Sequence, residues 1–105
     1  MVFLTPDRGH LALATSAAVV AQVWRGGNRQ ARLARLLASD LVTELALDTE
    51  ASRRIGVLAA AAPRAGDVVD GHVAVIDLDR DVMVLTSDPE DIARWGVPAT
   101  SVVSC

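Results

Sequence analysis

The chain has 105 residues, 51% of them hydrophobic, and a formal net charge of −3 at pH 7. This predicts one small domain over residues 1–105 with a single core, and no apolar run is long enough to cross a bilayer. The one cysteine, Cys105, excludes an internal disulfide framework and a thiolate metal site. No secretory signal opens the chain, so we expect a reduced, cytoplasmic setting.

The first half of the chain predicts a strand and two helices. The apolar run HLALAT, residues 10–15, is typical of a buried strand. Ser16 offers an N-cap to a helix over 17–25, which the following glycine pair ends. Asn28 offers a cap to a second helix that reaches residue 39.

The second half continues the alternation. Its elements are a strand at 42–47, a helix at 49–62, a helix at 67–80, a strand at 82–86, a short helix from SDPED to near Trp95, and a strand at 101–103. Asp48 and Asp67 are placed to cap the two longer helices. Alternating strands and helices predict an α/β fold with a parallel sheet and helices on both faces, in three layers.

Apolar residues at helical spacing predict which helix faces meet the core. They are Val20, Val23 and Trp24 in the first helix, Leu33, Leu36 and Leu37 in the second, and Ile55 and Leu58 in the third. The acids Asp77, Asp79 and Asp81 are interpreted as a solvated turn before the strand at 82–86.

Charge is unevenly distributed along the chain. Residues 8–39 contain arginines and no acids: Arg8, Arg25, Arg29, Arg32 and Arg35. The segment 67–91 contains eight acids and one arginine, Arg80. We interpret the arginines first as a solvated helix face. A surface that tracks RNA phosphates, or one that binds an acidic partner, is the alternative.

Three acids occupy positions that suit a hard divalent cation. Asp67 and Asp70 lie three apart in the first turn of a predicted helix, and Asp88 follows the strand at 82–86. Ligands of open α/β sheets bind beyond the carboxyl ends of the strands, and Mg²⁺ or Mn²⁺ takes oxygen ligands. Helix capping by Asp67 and turn chemistry in SDP explain the same residues without a metal.

Two segments, "LALATSAAVVAQVWRGGNRQARLARLLAS" and "DVVDGHVAVI…DVMVLTSDPEDIARW", resemble the PIN domain family, which includes the VapC-type toxin ribonucleases. The resemblance runs from about residue 10 to residue 95. It implies a three-layer α/β/α fold in which three or four acids hold one or two Mg²⁺ or Mn²⁺ ions and single-stranded RNA is cut. On this resemblance Asp70 and Asp88 are catalytic, metal-binding acids, and Asp67 and Asp91 are further candidate ligands.

Two of the family's acids have no match in this chain. The glutamate expected after the second strand is replaced by Gln22, whose amide offers an oxygen but no charge. The family's first strand, its aspartate and the helices after it are not found, since Asp7 lies in a turn-like TPDRG. The resemblance therefore implies a PIN-like domain truncated at its N-terminus, with the two strands beside the missing one left unpaired.

Two functions are open at this point. The first is a Mg²⁺-dependent ribonuclease, the toxin of a toxin–antitoxin pair, with RNA as substrate and a cognate antitoxin and a second copy of the chain as partners. The second is a catalytically inactive interaction module of the same ancestry, favoured by Gln22 and the missing first acid. His72 points to a different side of the helix from Asp70 and is interpreted as structural or as a surface residue, because the metal ligands expected here are oxygens.

Overall fold

The computed structural model describes residues 2–7, 10–62, 66–80 and 82–104. The strands are Val2–Asp7 (β1), His10–Ser16 (β2), Val42–Leu45 (β3), Met83–Thr86 (β4) and Val102–Ser104 (β5). The helices are Ala17–Val23 (α1), Asn28–Ala38 (α2), Thr49–Ala61 (α3), Val68–Asp79 (α4) and Pro89–Ala93 (α5), and a 3-10 turn at Ala99–Ser101 precedes β5. None of these helices is long and apolar enough to span a membrane.

The strands form one mixed sheet in the order β3-β2-β1-β4-β5. β2 pairs with β3 and β4 pairs with β5 in parallel, whereas β1 runs antiparallel to both of its neighbours. The predicted α/β fold is confirmed, and the arrangement is compatible with three α/β/α layers. The prediction of a parallel sheet is wrong at β1. Two residues separate β1 from β2, which suffices for a hairpin but not for a crossover to a parallel strand.

β1 lies between β2 and β4, where the resemblance places the family's first strand. Phe3 lies opposite Ala14 of β2 and opposite Val84 of β4, so both neighbouring strands are paired. The expectation that their edges would be unpaired is therefore wrong. Because β1 runs in the opposite direction, Asp7 pairs with His10 at the start of β2, away from the edge where β2 and β4 end.

The core lies between the sheet and α4. α4 is buried from Gly71 to Asp77 and contacts α1, α3 and α5. Phe3 from β1 and Val84 from β4 are fully buried beneath it. The other buried apolar residues are Val19, Ile55, Val73, Ala74, Val75, Ile76, Val82, Ile92, Trp95 and Val97. Ile55 and Leu58 were predicted to face the core. Ile55 is part of the core, and the partly buried Leu58 packs against the core.

Two predicted core faces are wrong in part. In α1 the buried residue is Val19, while Val23 and Trp24 are 54% and 43% exposed. The cause is the length of α1, which ends at Val23 and leaves Trp24 as an extended C-cap residue. In α2 Leu33 and Leu37 are half-buried and Leu36 is exposed, because α2 packs on the short strand β3 at the edge of the sheet.

The helix caps follow the sequence except at α2. Ser16, Asp48 and Asp67 accept hydrogen bonds from the first-turn amides of α1, α3 and α4, as predicted. The N-cap of α2 is Gly27, at φ 84°, and Asn28 is its first helical residue. A backbone in that region favours glycine, which explains why Asn28 is not the cap.

Asp77 lies inside α4 and is 7% exposed, so the prediction of a solvated turn is wrong there. α4 continues to Asp79, whose exposed carboxylate pairs with Arg54 at 2.5 Å. Asp81 lies outside the described residues. Burial raises the pKa of Asp77, and a hydrogen bond with the Ser101 side chain acts in the opposite direction.

Candidate acidic site

The first turn of α4 carries two of the predicted site residues. Asp67 is the N-cap, and its Oδ1 accepts a hydrogen bond from the backbone N–H of Asp70 at 2.9 Å. The carbonyl of Asp67 accepts from the N–H of Gly71 at 3.1 Å. One oxygen of Asp67 is therefore engaged in capping, whereas the half-buried Asp70 carboxylate has no such task.

The turn from β4 into α5 carries the other two. Thr86 Oγ1, at the end of β4, accepts a hydrogen bond from the N–H of Asp88 at 3.0 Å and so fixes the turn. Pro89 then opens α5, which suits the first turn of a helix. Asp91 Oδ1 accepts from Arg94 Nη1 at 3.2 Å. A cavity of about 250 Å³ is lined by Ser87, Asp88, Pro89, Glu90 and Asp91.

Packing of α4 on the segment after α5 brings these two pairs of acids together. Trp95 is 3% exposed and lies against Gly71, the residue after Asp70. The pKa of Asp70 is raised, first by burial and then by the charges of Asp67, Asp91 and Asp88. The charges of the other three acids singled out in the sequence thus act on Asp70.

These residues fit a divalent cation in part. Carboxylate oxygens are suitable ligands, and Mg²⁺ is usually held by one or two carboxylates with several waters. Within the described ranges, however, no three His, Cys, Asp or Glu side chains lie close enough together to hold one ion. The arrangement therefore suits a hydrated ion at one or two carboxylates, and it does not provide the three-acid set that the resemblance implies.

The two positions that depart from the family pattern add no further acid. Gln22 is exposed on α1. The direction of β1 places Asp7 at the edge opposite to the ends of β2 and β4.

His72 is buried, which leaves the structural role of the two, structural or surface, that the sequence left open. It is 2% exposed, and its Nδ1 lies 2.5 Å from the Oγ of Ser16, which is itself fully buried. Burial lowers the pKa of His72, against smaller effects of the Ala46 backbone and the Asp48 charge. Since no substrate reaches a fully buried hydroxyl, this pair is not a nucleophile and base. Sequence reasoning missed the pair, because its members are 56 positions apart.

The exposure of the arginines in the first half fits a solvated face and a binding surface equally, so both interpretations stay predictions. Arg25, Arg32 and Arg35 are exposed, and the Arg29 side chain lies outside the described part of the structure. Among the described residues, the two ion pairs are Arg54–Asp79 and Arg94–Asp91, and neither involves these arginines.

A cavity of about 510 Å³ lies elsewhere, between α3 and α4. Its charged lining consists of three acids and two arginines. Asp48 and Glu50 lie at the positive N-terminus of α3, Arg80 lies at the negative C-terminus of α4, and Arg54 pairs with Asp79. None of the four acids that the sequence offers as metal ligands lies in this lining.

Comparisons with protein-family models, with curated proteins and with solved structures found no match to this chain. The resemblance to PIN domains thus rests on the residues and their order alone, and it stays a prediction.

Proposed function

We propose that this chain is a Mg²⁺- or Mn²⁺-dependent ribonuclease of the PIN type, the toxin of a toxin–antitoxin pair, with Asp70 and Asp88 as its principal acids. The observation that supports this is that charges from the start of α4 and from the segment after β4 act on one carboxyl, that of Asp70. Burial first, and then the charges of Asp67, Asp91 and Asp88, raise the pKa of Asp70. Perturbed carboxyls are typical of functional sites, and a bound cation would relieve the repulsion.

The four acids are not equivalent as ligands. Asp70 is half-buried and Asp88 is exposed, and neither side chain caps a helix. One carboxylate oxygen of Asp67 accepts a hydrogen bond from the backbone N–H of Asp70, and Asp91 forms an ion pair with Arg94. Asp70 and Asp88 would therefore hold the ion, with Asp67 and Asp91 as supporting charges. The bound ion would supply stabilisation of the charge that develops on the RNA phosphate.

A specific observation favours a second function, that of an inactive interaction module with the same ancestry. β1 fills the middle of the sheet and completes the core without bringing an acid to the site, because its Asp7 end lies at the opposite edge. Gln22 is neutral. A chain of this kind would keep a stable fold and a surface for a partner, such as an antitoxin or a second copy, while having too little negative charge for catalysis.

RNA cleavage separates the two functions. We would incubate the purified chain with a fluorescent single-stranded RNA in the presence of Mg²⁺, Mn²⁺ or EDTA. The nuclease proposal expects cleavage that needs the metal and that falls at least about 100-fold in Asp70→Asn and Asp88→Asn, since even supporting residues of metal sites cost up to about that much. Asp40→Asn, in an exposed loop before β3, is the matched control and should cleave normally.

Two results would contradict the nuclease. Absence of cleavage by the folded wild-type chain with either ion would favour the interaction module. Cleavage that persists in EDTA, or that is unchanged in Asp70→Asn, would show that the activity does not come from this site.

A further inference from the structure

We propose that Ser16 and His72 are a positioning pair, which holds the first turn of α4, and with it Asp70, against the ends of β2 and β3. The pair deepens the proposed function, because it keeps the acidic site in place. The metal that this site would bind rests on the proposed function. The pair itself is independent of any metal. It is carried by two fully buried polar side chains and the hydrogen bonds between three separate elements.

The contact between the two side chains has one consistent assignment of protons. Ser16 Oγ accepts hydrogen bonds from the N–H groups of Ala18 at 3.0 Å and Val19 at 3.4 Å, as the N-cap of α1. Its own proton is therefore free for a third partner. His72 Nδ1 lies 2.5 Å away, so the hydroxyl donates to that nitrogen.

The other ring nitrogen of His72 concerns a second strand, β3. When Nδ1 accepts, the neutral ring carries its proton on Nε2. The backbone of Ala46, the residue after β3, lies near enough to the imidazole to affect the pKa of His72. One side chain of α4 thus lies near the carboxyl ends of two adjacent parallel strands, β2 and β3.

The place of His72 in α4 links this contact to the acidic site. The first turn of a helix has amides without intrahelical partners, so it is the part of the helix most dependent on outside contacts. In α4 that turn is held by the Asp67 cap and by Trp95 against Gly71, and the Ser16 contact to His72 follows directly after it. Asp70 lies between these anchors, so loss of the Ser16 contact should loosen Asp70 locally.

We would measure two properties in wild type, Ser16→Ala, Ser16→Thr and Val97→Ala. The first is amide hydrogen exchange at Asp70 and Gly71 without metal, compared with Ile76 later in α4. The second is Mn²⁺ affinity by calorimetry. Ser16→Ala should speed exchange at Asp70 and Gly71 by about 10-fold more than at Ile76 and weaken Mn²⁺ binding about 10-fold, as loss of supporting contacts does at metal sites. Ser16→Thr, which keeps the hydroxyl, should restore both.

Val97→Ala is the control for general loss of stability, because Val97 is 4% exposed in the core and lies outside α4. It should speed exchange evenly along α4 and leave Mn²⁺ affinity unchanged. If Ser16→Ala behaves like Val97→Ala, the pair contributes only to global stability and the inference is overturned. If Ser16→Ala does not fold, Ser16→Cys keeps the volume, weakens the hydrogen bond and decides the same comparison.

The two measurements separate this inference from the proposed function. Selective loosening of Asp70 and Gly71 in a chain that binds no Mn²⁺ would support the pair and contradict the metal site. Tight Mn²⁺ binding with unchanged exchange and affinity in Ser16→Ala would support the metal site and contradict the pair.

Discussion

The ring of Trp95 lies against Gly71 so closely that a Cβ on Gly71 would be 2.7 Å from Trp95 Cη2 and 2.8 Å from Ile55 Cγ2. A side chain at this position would therefore force α4 away from Trp95 and α3. Asp70 immediately precedes this glycine, and Asp88 and Asp91 lie on the segment that leads to Trp95. The position of Asp70 relative to Asp88 and Asp91 thus depends on a residue that has no side chain.

Replacement of Gly71 should therefore destabilise the chain. Alanine gains about 1 kcal/mol of helix propensity over glycine, but overpacking typically costs about 1–3 kcal/mol and should exceed that gain here. Gly56 in α3 is the matched control, since a Cβ there meets nothing within 4 Å. Gly56→Ala should stabilise by up to about 1 kcal/mol. Urea unfolding measures both, and stabilisation by Gly71→Ala would contradict the close packing.

Phe3 tests whether β1 is a full member of the sheet. It is fully buried between Ala14 and Val84, so Phe3→Ala should cost about 3–5 kcal/mol and unfold much of the population. Met83, on the neighbouring strand, is 43% exposed, and Met83→Ala should cost less than about 1 kcal/mol. Chemical denaturation gives both values. A small effect of Phe3→Ala would show that β1 does not occupy the middle of the sheet.

Asp77 should make stability depend on pH. Burial raises its pKa in the folded chain above the ordinary value of 3.8, so the folded state holds this proton more tightly than the unfolded state. The destabilisation is absent below the ordinary pKa and complete above the folded pKa. Within the described residues Asp77 Oδ1 has no hydrogen-bond partner. Asp77→Asn should therefore stabilise the chain by about 1 kcal/mol at pH 7.

The pH series supplies the control for Asp77. The advantage of Asp77→Asn should shrink as the pH falls towards 3.8, because the wild-type carboxyl is then protonated in both states. Asp79→Asn removes an exposed ion-pair partner of Arg54 and should change stability by less than about 1 kcal/mol. An Asp77→Asn effect of the same size at all pH values would point to packing instead of charge.

The ionised carboxylate of Asp70 should lower the stability of the folded chain. Burial and the charges of Asp67, Asp91 and Asp88 raise the pKa of Asp70, so its ionised form destabilises the folded chain above that pKa. Asp70→Asn should therefore raise the melting temperature at pH 7 in EDTA, and the gain should vanish at acidic pH. Asp40→Asn is the exposed control. A lower melting temperature for Asp70→Asn at pH 7 would contradict the repulsion within the cluster.

Local signals in the sequence predicted three of the helix caps. The strand β1 was not predicted, because it depends on pairing with residues far along the chain. Ser16, Asp48 and Asp67 cap helices because each precedes an apolar periodic segment, and that signal is contained in a few residues. β1 was missed because Pro6 within TPDRG is typical of a turn. Its pairing depends on residues 83–85, far along the chain. Pro6 is tolerated in β1, and the residues around Pro6 alone do not indicate that a strand forms there.

The acids and the contacts that place them were predictable to different degrees. The resemblance identified Asp67, Asp70, Asp88 and Asp91. In the structure the charges of the other three acids raise the pKa of Asp70, after the larger effect of burial. The contacts responsible, Trp95 on Gly71 and Ser16 on His72, join residues far apart in sequence. Asp77 was misplaced because an acid in an acidic segment is ordinarily solvated, whereas here α4 carries it into the core.

The decisive measurement is a Mn²⁺ titration followed in amide NMR spectra of wild type and Asp70→Asn. A metal site at the start of α4 predicts paramagnetic broadening confined to Asp67–Gly71 and Ser87–Asp91, and predicts its loss in Asp70→Asn while Asp40→Asn keeps it. Absence of broadening at these amides in the folded wild-type chain, or broadening that is unchanged in Asp70→Asn, would contradict a divalent-cation site here and with it the proposed ribonuclease.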